Sequence, residues 1–78
     1  MPYTIRELRE MEGLTQAQLG TIIGVVPSTV YCWETDRTMP SPLSLSRLVA
    51  FFRVKADDII LPMVEPGRLR RHPSRATG

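Results

Sequence analysis

Residues 15–34, TQAQLGTIIGVVPSTVYCWE, hold two short helical patterns that meet at Gly24, Val25 and Val26. The first opens on Thr15, a good N-cap residue, and runs over Gln16–Ile23. It sets Leu19, Ile22 and Ile23 at helical spacing, as an inward face. The second opens on Pro27, a favoured first helical residue, and runs over Pro27–Glu34 with Val30 and Trp33 turned inward. A junction this short cannot lay two helices side by side. They must cross at a steep angle.

Working outward, Thr4 is placed to cap a first helix, and Glu7 three residues on completes a capping box. Ile5, Leu8 and Met11 or Glu12 share a face of that helix, and Gly13 ends it. Beyond Glu34, residues 35–40 form a polar loop. Asp36 stands within it. Ser41 and Pro42 then read as N-cap and first turn of a fourth helix, with Leu45, Leu48, Val49 and Phe52 on one face. Arg53 and Val54 break it. A short fifth helix is predicted over residues 56–61, with Asp57 and Asp58 near its positive end and Pro62 as its stop. No β-strand pattern and no internal repeat stands out. The expected division is a folded domain over residues 1–62 and a basic, irregular tail over residues 63–78.

Seventy-eight residues make one small domain with a modest core, which dimerisation often supplements. The single Cys32 excludes an internal disulfide. No apolar run reaches the length of a membrane span, and the charged start MPYTIRELRE is unlike a signal peptide. A cytoplasmic, nucleoid-associated protein is the expectation. The net charge of +2 is unevenly placed. Residues 1–63 carry six basic against seven acidic residues, while residues 64–78 carry four arginines against Glu65. A nucleic-acid-binding body without excess positive charge must rely on local placement, on dimerisation or on the tail.

Two helices crossing steeply over a tight turn have the geometry of a helix-turn-helix, whose second helix fits the major groove of DNA. The residues also carry a resemblance. Leu14, Thr15, Gln16, Ala17, Leu19, Ile22, Ile23, Gly24 and Val25, then Ser28, Thr29, Val30, Trp33, Glu34 and Pro40, resemble the Cro / lambda-type repressor helix-turn-helix family, also called XRE. Ile5, Leu8 and Arg9 resemble its first helix. Leu45, Leu48, Val49, Phe52, Val54, Asp57, Ile59 and Ile60 resemble its fourth and fifth. The resemblance spans about residues 4–62 and implies a five-helix all-α domain of the lambda-repressor type.

By that resemblance Pro27, Ser28, Tyr31 and Cys32 face base edges. This set lacks the Arg, Lys, Asn and Gln that make bidentate contacts to bases. Specificity would then rest on apolar and shape terms. Val26 departs from the Ser or Thr usual in the family at the N-cap of the second motif helix. The resemblance gives Gln16 a phosphate contact, consistent with its place at a helix N-terminus. It gives the loop residues Thr35, Arg37 and Thr38 the same role, and the Gly frequent in the family at the place of Asp36 implies a left-handed backbone there, which Asp tolerates. Thr29 suits the backbone as well. Arg47 either extends this positive edge or is solvated charge. Arg9 and Glu34 resemble the family's pair linking the first helix to the end of the third. The alternative for the exposed face of Val26, Pro27, Tyr31 and Cys32 is a protein interface.

The tail arginines Arg68, Arg70, Arg71 and Arg75 resemble a basic arm on DNA; a merely solvated tail, or packing of Met63, Val64 and Leu69 on a partner subunit, are the other readings. With one cysteine and with His72 in the tail, no metal-ligand set or nucleophile–base arrangement can be assembled, so neither catalysis nor a cofactor is expected. The sequence therefore points to a transcriptional regulator, a repressor, acting as a homodimer on a near-palindromic double-stranded DNA operator, and the resemblance implies a bacterial or phage origin. The second reading is a protein-binding module on the same fold, docking on RNA polymerase or another regulator. Antitoxin and restriction-control roles differ from these in biological context rather than in chemistry.

Overall fold

The computed structural model describes residues 2–64. Four α-helices make the body: α1 (Ile5–Met11), α2 (Gln16–Ile23), α3 (Pro27–Glu34) and α4 (Pro42–Phe52). Thr4, Thr15 and Ser41 cap α1, α2 and α4, each hydroxyl accepting the backbone N–H three residues on. The first two are complete capping boxes, closed by Glu7 and by Gln18. All four helices end on a residue with positive φ: Gly13, Gly24, Asp36 and Arg53. After each, the next backbone N–H reaches back five residues, as Leu14 does to Arg9, Val25 to Gly20, Arg37 to Cys32 and Val54 to Val49. This closure satisfies helix-end carbonyls that would otherwise be orphaned.

The core is Ile5, Leu8, Leu19, Ile23, Val30, Trp33, Leu48 and Ile59. Tyr3, Leu14, Val25, Leu45, Val49, Phe52, Val54 and Leu61 pack around it. Two expected core positions lie outside it. Met11 is exposed at the end of α1, and Ile22 is 42% exposed. The inward face of α2 is centred on Leu19, Gly20 and Ile23. Ile22, two residues past Gly20, is rotated away from that face by the helical period.

The predicted fifth helix is a single 3₁₀ turn, Ala56–Asp58, followed by a strand. That strand, β2 (Ile59–Ile60), pairs in parallel with β1 (Tyr3–Thr4), Tyr3 opposite Ile59 and Thr4 opposite Ile60. The sequence reading saw no strand here. Residues 56–61 are too few for a stable helix, Ile59 and Ile60 are β-branched, and Pro62 biases Leu61 toward extended backbone. Extended pairing buries Ile59 and turns Ile60 outward, with Leu61 partly inside again. The rest of the fold class stands as read: an all-α helix-turn-helix domain, with this short two-stranded clasp joining its ends.

Candidate nucleic-acid interface

The α2–α3 turn is built by close approach. Gly24 adopts φ 93°, a left-handed conformation that a side chain would strain. Gly20 lies beneath the turn, where a Cβ would come within 2.6 Å of the Val25 carbonyl oxygen. Four residues separate the two glycines, one turn of helix, so the chain at residues 24–26 can fold back onto α2. A third contribution comes from α4. Arg47 donates from Nη1 to the Ile23 carbonyl oxygen at 2.8 Å, placing a cation at the negative end of α2.

The opposite end of α3 is held by charge. Arg9 donates from Nε to Glu34 Oε2 at 2.6 Å and from Nη2 to Oε1 at 3.1 Å, a bidentate pair. Arg9 Nη1 also donates to the Leu14 carbonyl oxygen at 2.7 Å. Gln16 donates from Nε2 to the same Glu34 Oε1 at 3.0 Å. The two charged side chains are only 13% and 4% exposed. The hydrogen bond from Glu34 holds the Arg9 guanidinium above its ordinary pKa, against the opposing effect of burial. A pKa raised on folding adds stability that is fully present below the unfolded value and is lost only as pH rises through the folded one. For an arginine that window lies far above neutrality. Among the described residues, every buried side-chain nitrogen or oxygen has a hydrogen-bond partner. This pair joins α1, α2 and α3 at one point and sets the angle at which α3 is offered.

With Val30 and Trp33 buried and Glu34 clamped, the outward side of α3 is fixed. Pro27, Ser28 and Tyr31 lie on the exposed surface, and Cys32 is half-buried beside them. Ser28, Thr29 and Cys32 line a shallow groove of about 340 Å³ with Thr38, Met39 and Ser41. The groove thus gathers hydroxyls from α3, from the following loop and from the start of α4. Ser41 was read from sequence only as a helix cap, and its place on this groove had no local signal. Thr35 Oγ1 donates to the Tyr31 carbonyl oxygen at 2.9 Å, so its proton would have to change partner to meet a phosphate. Asp36 has φ 59°, the left-handed backbone expected of it, and Arg37 stands exposed beside it.

The structure therefore separates the candidate residues into groups. Ser28, Thr29, Cys32 and Thr38 come together on one groove, with Pro27 and Tyr31 on the same helix. Gln16 is joined to the Arg9–Glu34 clamp, leaving its carbonyl oxygen uncommitted among these bonds. Arg47, on α4, reaches the end of α2 with one of its nitrogens engaged there and is not among the groove-lining residues. Arg68, Arg70, Arg71 and Arg75 lie outside the described residues.

A short helix held against its neighbours on one side and open on the other, joined to a second helix by a tight turn, is the arrangement of the helix-turn-helix found in DNA-binding transcription regulators. The helix-turn-helix family profile matches residues 5–59, and the chain belongs to that family, of the XRE / lambda-repressor type. Its members are regulators rather than enzymes as a rule. No curated protein matches this chain. No described helix is long and apolar enough to cross a membrane.

Proposed function

We propose that this chain is a sequence-specific double-stranded DNA-binding repressor that reads the major groove with α3. The observation that carries the proposal is the division of α3 into a clamped inner face and an open outer one. Val30, Trp33 and Glu34 are held in the body, while Pro27, Ser28 and Tyr31 stand free with Cys32 beside them. Ser28 can donate or accept a hydrogen bond. Tyr31 offers a hydroxyl and a ring to a sugar or base edge. Pro27 and Cys32 suit a thymine methyl. Thr29 and Thr38, on the groove that Ser41 completes, contact the phosphate backbone in this reading, and the exposed Arg37 adds charge beside them. Gln16 keeps an amide group at the N-terminus of α2, Thr35 needs a change of partner, and Arg47 supplies charge from the other end of that helix. The arginines of the tail, residues 63–78, supply the positive charge that the domain over residues 1–62 lacks.

The operator is a near-palindrome read by a homodimer, with two α3 helices about 34 Å apart. Ile60 and Met63, both exposed at the C-terminal edge, support association there. Sedimentation at working concentration, with and without DNA, checks this directly: a monomer under both conditions contradicts it.

One observation favours the second reading, a protein-docking module such as one that binds RNA polymerase. Val26 and Ile22, on either side of the turn, are apolar and exposed, as is Tyr31 on α3. Selection from a random-sequence duplex library at near-physiological salt decides between the two. A recovered near-palindrome supports the repressor and names its operator. Binding without a motif, vanishing as salt rises, supports the docking module.

A further inference from the structure

The open face of α3 is mostly apolar. Ser28, Tyr31 and Cys32 fall at helical spacing, Pro27 lies one turn before Tyr31, and the N-cap Val26 precedes Pro27. Val26, Pro27, Ser28 and Tyr31 are exposed, and Cys32 is half-buried. These residues present methyl, methylene, thiol and ring surface with two hydroxyls among them.

Bidentate contacts to base edges come from amides and guanidinium groups, and a carboxylate can accept from cytosine. Such groups near α3 are already engaged. The chain has no asparagine and two glutamines. Gln16 commits its amide nitrogen to Glu34 at 3.0 Å, and Gln18 its amide oxygen to the Thr15 N–H at 2.8 Å. An adenine edge needs both ends of one amide at once. All three guanidinium nitrogens of Arg9 are bonded. The one carboxylate of α3, Glu34, accepts from Arg9 and Gln16. Arg37, exposed, lies beyond the helix in the loop. The hydroxyls of Ser28 and Tyr31 discriminate little, because a hydroxyl serves a donor or an acceptor alike. What an apolar face can tell apart in the major groove is the methyl group on C5 of thymine. Cytosine methylated at C5 carries the same group at the same ring position.

We propose that α3 reads pyrimidine C5-methyl groups. Val26, Pro27 and Cys32, with the ring of Tyr31, form the surface, and its ligand is a duplex that presents such methyls in the major groove. The inference rests on the DNA-binding reading above. Sequence preference then comes from burying methyl groups, each changing affinity about fourfold, rather than from paired hydrogen bonds.

The test changes the DNA and leaves the protein untouched. The operator recovered by the library selection is remade with deoxyuridine for thymidine, one position at a time, an exchange that removes the methyl alone. A random-sequence duplex with the same exchange is the control. Dissociation constants are measured at near-physiological salt. At one or more thymines in each half-site the exchange should weaken binding about fourfold, and about fifteenfold when made in both half-sites together. On the random duplex it should cost less than about twofold. A second arm replaces the same T·A pairs by C·G and then methylates the cytosine at C5. Recovery of about fourfold shows that the methyl is the ligand whichever base carries it, and loss with uracil without that recovery assigns the site to thymine. Val26→Ser, Pro27→Ala and Cys32→Ser then locate the contacts: at least one should reduce the cost of a particular exchange to less than about twofold. Equal affinity for the thymine and uracil operators overturns the proposal and leaves α3 as a reader of another kind. An equal loss on the random duplex, which would trace to duplex stiffness, or an exchange cost that none of the three variants alters, overturns it as well. Recovery of no operator removes the major-groove reading itself, and this proposal with it.

Discussion

The two sides of α3 differ in almost every physical respect. The inner side is over-determined. Val30 and Trp33 are buried, and Glu34 accepts three hydrogen bonds from Arg9 and Gln16. On the outer side, the side chains of Ser28, Tyr31 and Cys32 make no hydrogen bond among the described residues, and only backbone carbonyls of α3 are tied to the loop. Its N-cap, Val26, makes no side-chain hydrogen bond, and Tyr31 is nearly half exposed. The contrast teaches that orientation and recognition are separable in this molecule. One face of eight residues fixes where the helix points, and the other is free to be complementary to something else.

The largest expected effect comes from breaking the inner side. Glu34→Ala strands Arg9, whose side chain is mostly buried, and should cost about 3–5 kcal/mol in urea or guanidinium unfolding. Replacing both partners with apolar residues, Arg9→Met with Glu34→Leu, should cost much less, because no uncompensated charge remains. If the double variant were as unstable as the single one, the clamp would be a source of net stability rather than of orientation. The DNA affinity of the double variant then measures orientation alone: it should fall even where stability is restored.

Attacking the outer side should give the reverse pattern. Ser28→Ala with Tyr31→Ala removes exposed groups, so stability should stay within about 0.5 kcal/mol per site. The ratio of operator to random-duplex affinity should fall about tenfold, a loss of about 1.4 kcal/mol in discrimination. Competition binding against both duplexes reads this ratio. A ratio that does not move would mean that α3 takes no part in reading sequence, and the separation between its faces would lose its functional meaning.

The same contrast explains what was legible in the amino-acid sequence. Caps and helix ends are local. Thr4 with Glu7, Thr15, Pro27, Ser41, Gly24 and Asp36 announce themselves within four residues of where they act, and each stands where it was read. Val30 and Trp33 were legible by spacing alone. Ile22 was not, since it fits the helical spacing as well as Ile23 does. Only the close approach at Gly20 decides which flank of α2 turns inward. The β1–β2 pair was illegible for another reason: its two halves lie more than fifty residues apart, and two-residue strands carry no pattern of their own. Arg47 on the Ile23 carbonyl and Asp36 on the Met63 N–H belong to the same kind, being single bonds across long sequence separations. For the interface, the residue types on α3 were readable and their division into groove, clamp and cap was not.

The smallest effect tests why the outer face lacks a cap. Three of the four α-helices have a hydroxyl at the N-cap, and α3 has Val26, in an extended conformation (φ −77°, ψ 158°) that already suits a capping side chain. Val26 is 60% exposed, so little apolar contact is lost on replacing it. Val26→Ser should therefore gain about 1 kcal/mol, by supplying an acceptor to the first turn of α3. In a domain of this size that corresponds to a rise in Tm of about 4–8 °C. A stabilising residue left unused at an exposed position beside the proposed reading face is informative, because a chain selected for stability alone would have it. If Val26→Ser raises Tm and leaves DNA discrimination intact, the valine contributes nothing to reading, and its apolar surface belongs to some other contact. If discrimination falls while Tm rises, the methyl groups of Val26 are part of the reading face. Recognition would then extend across the turn from α3 toward Ile22, on just the side where no polar base reader stands.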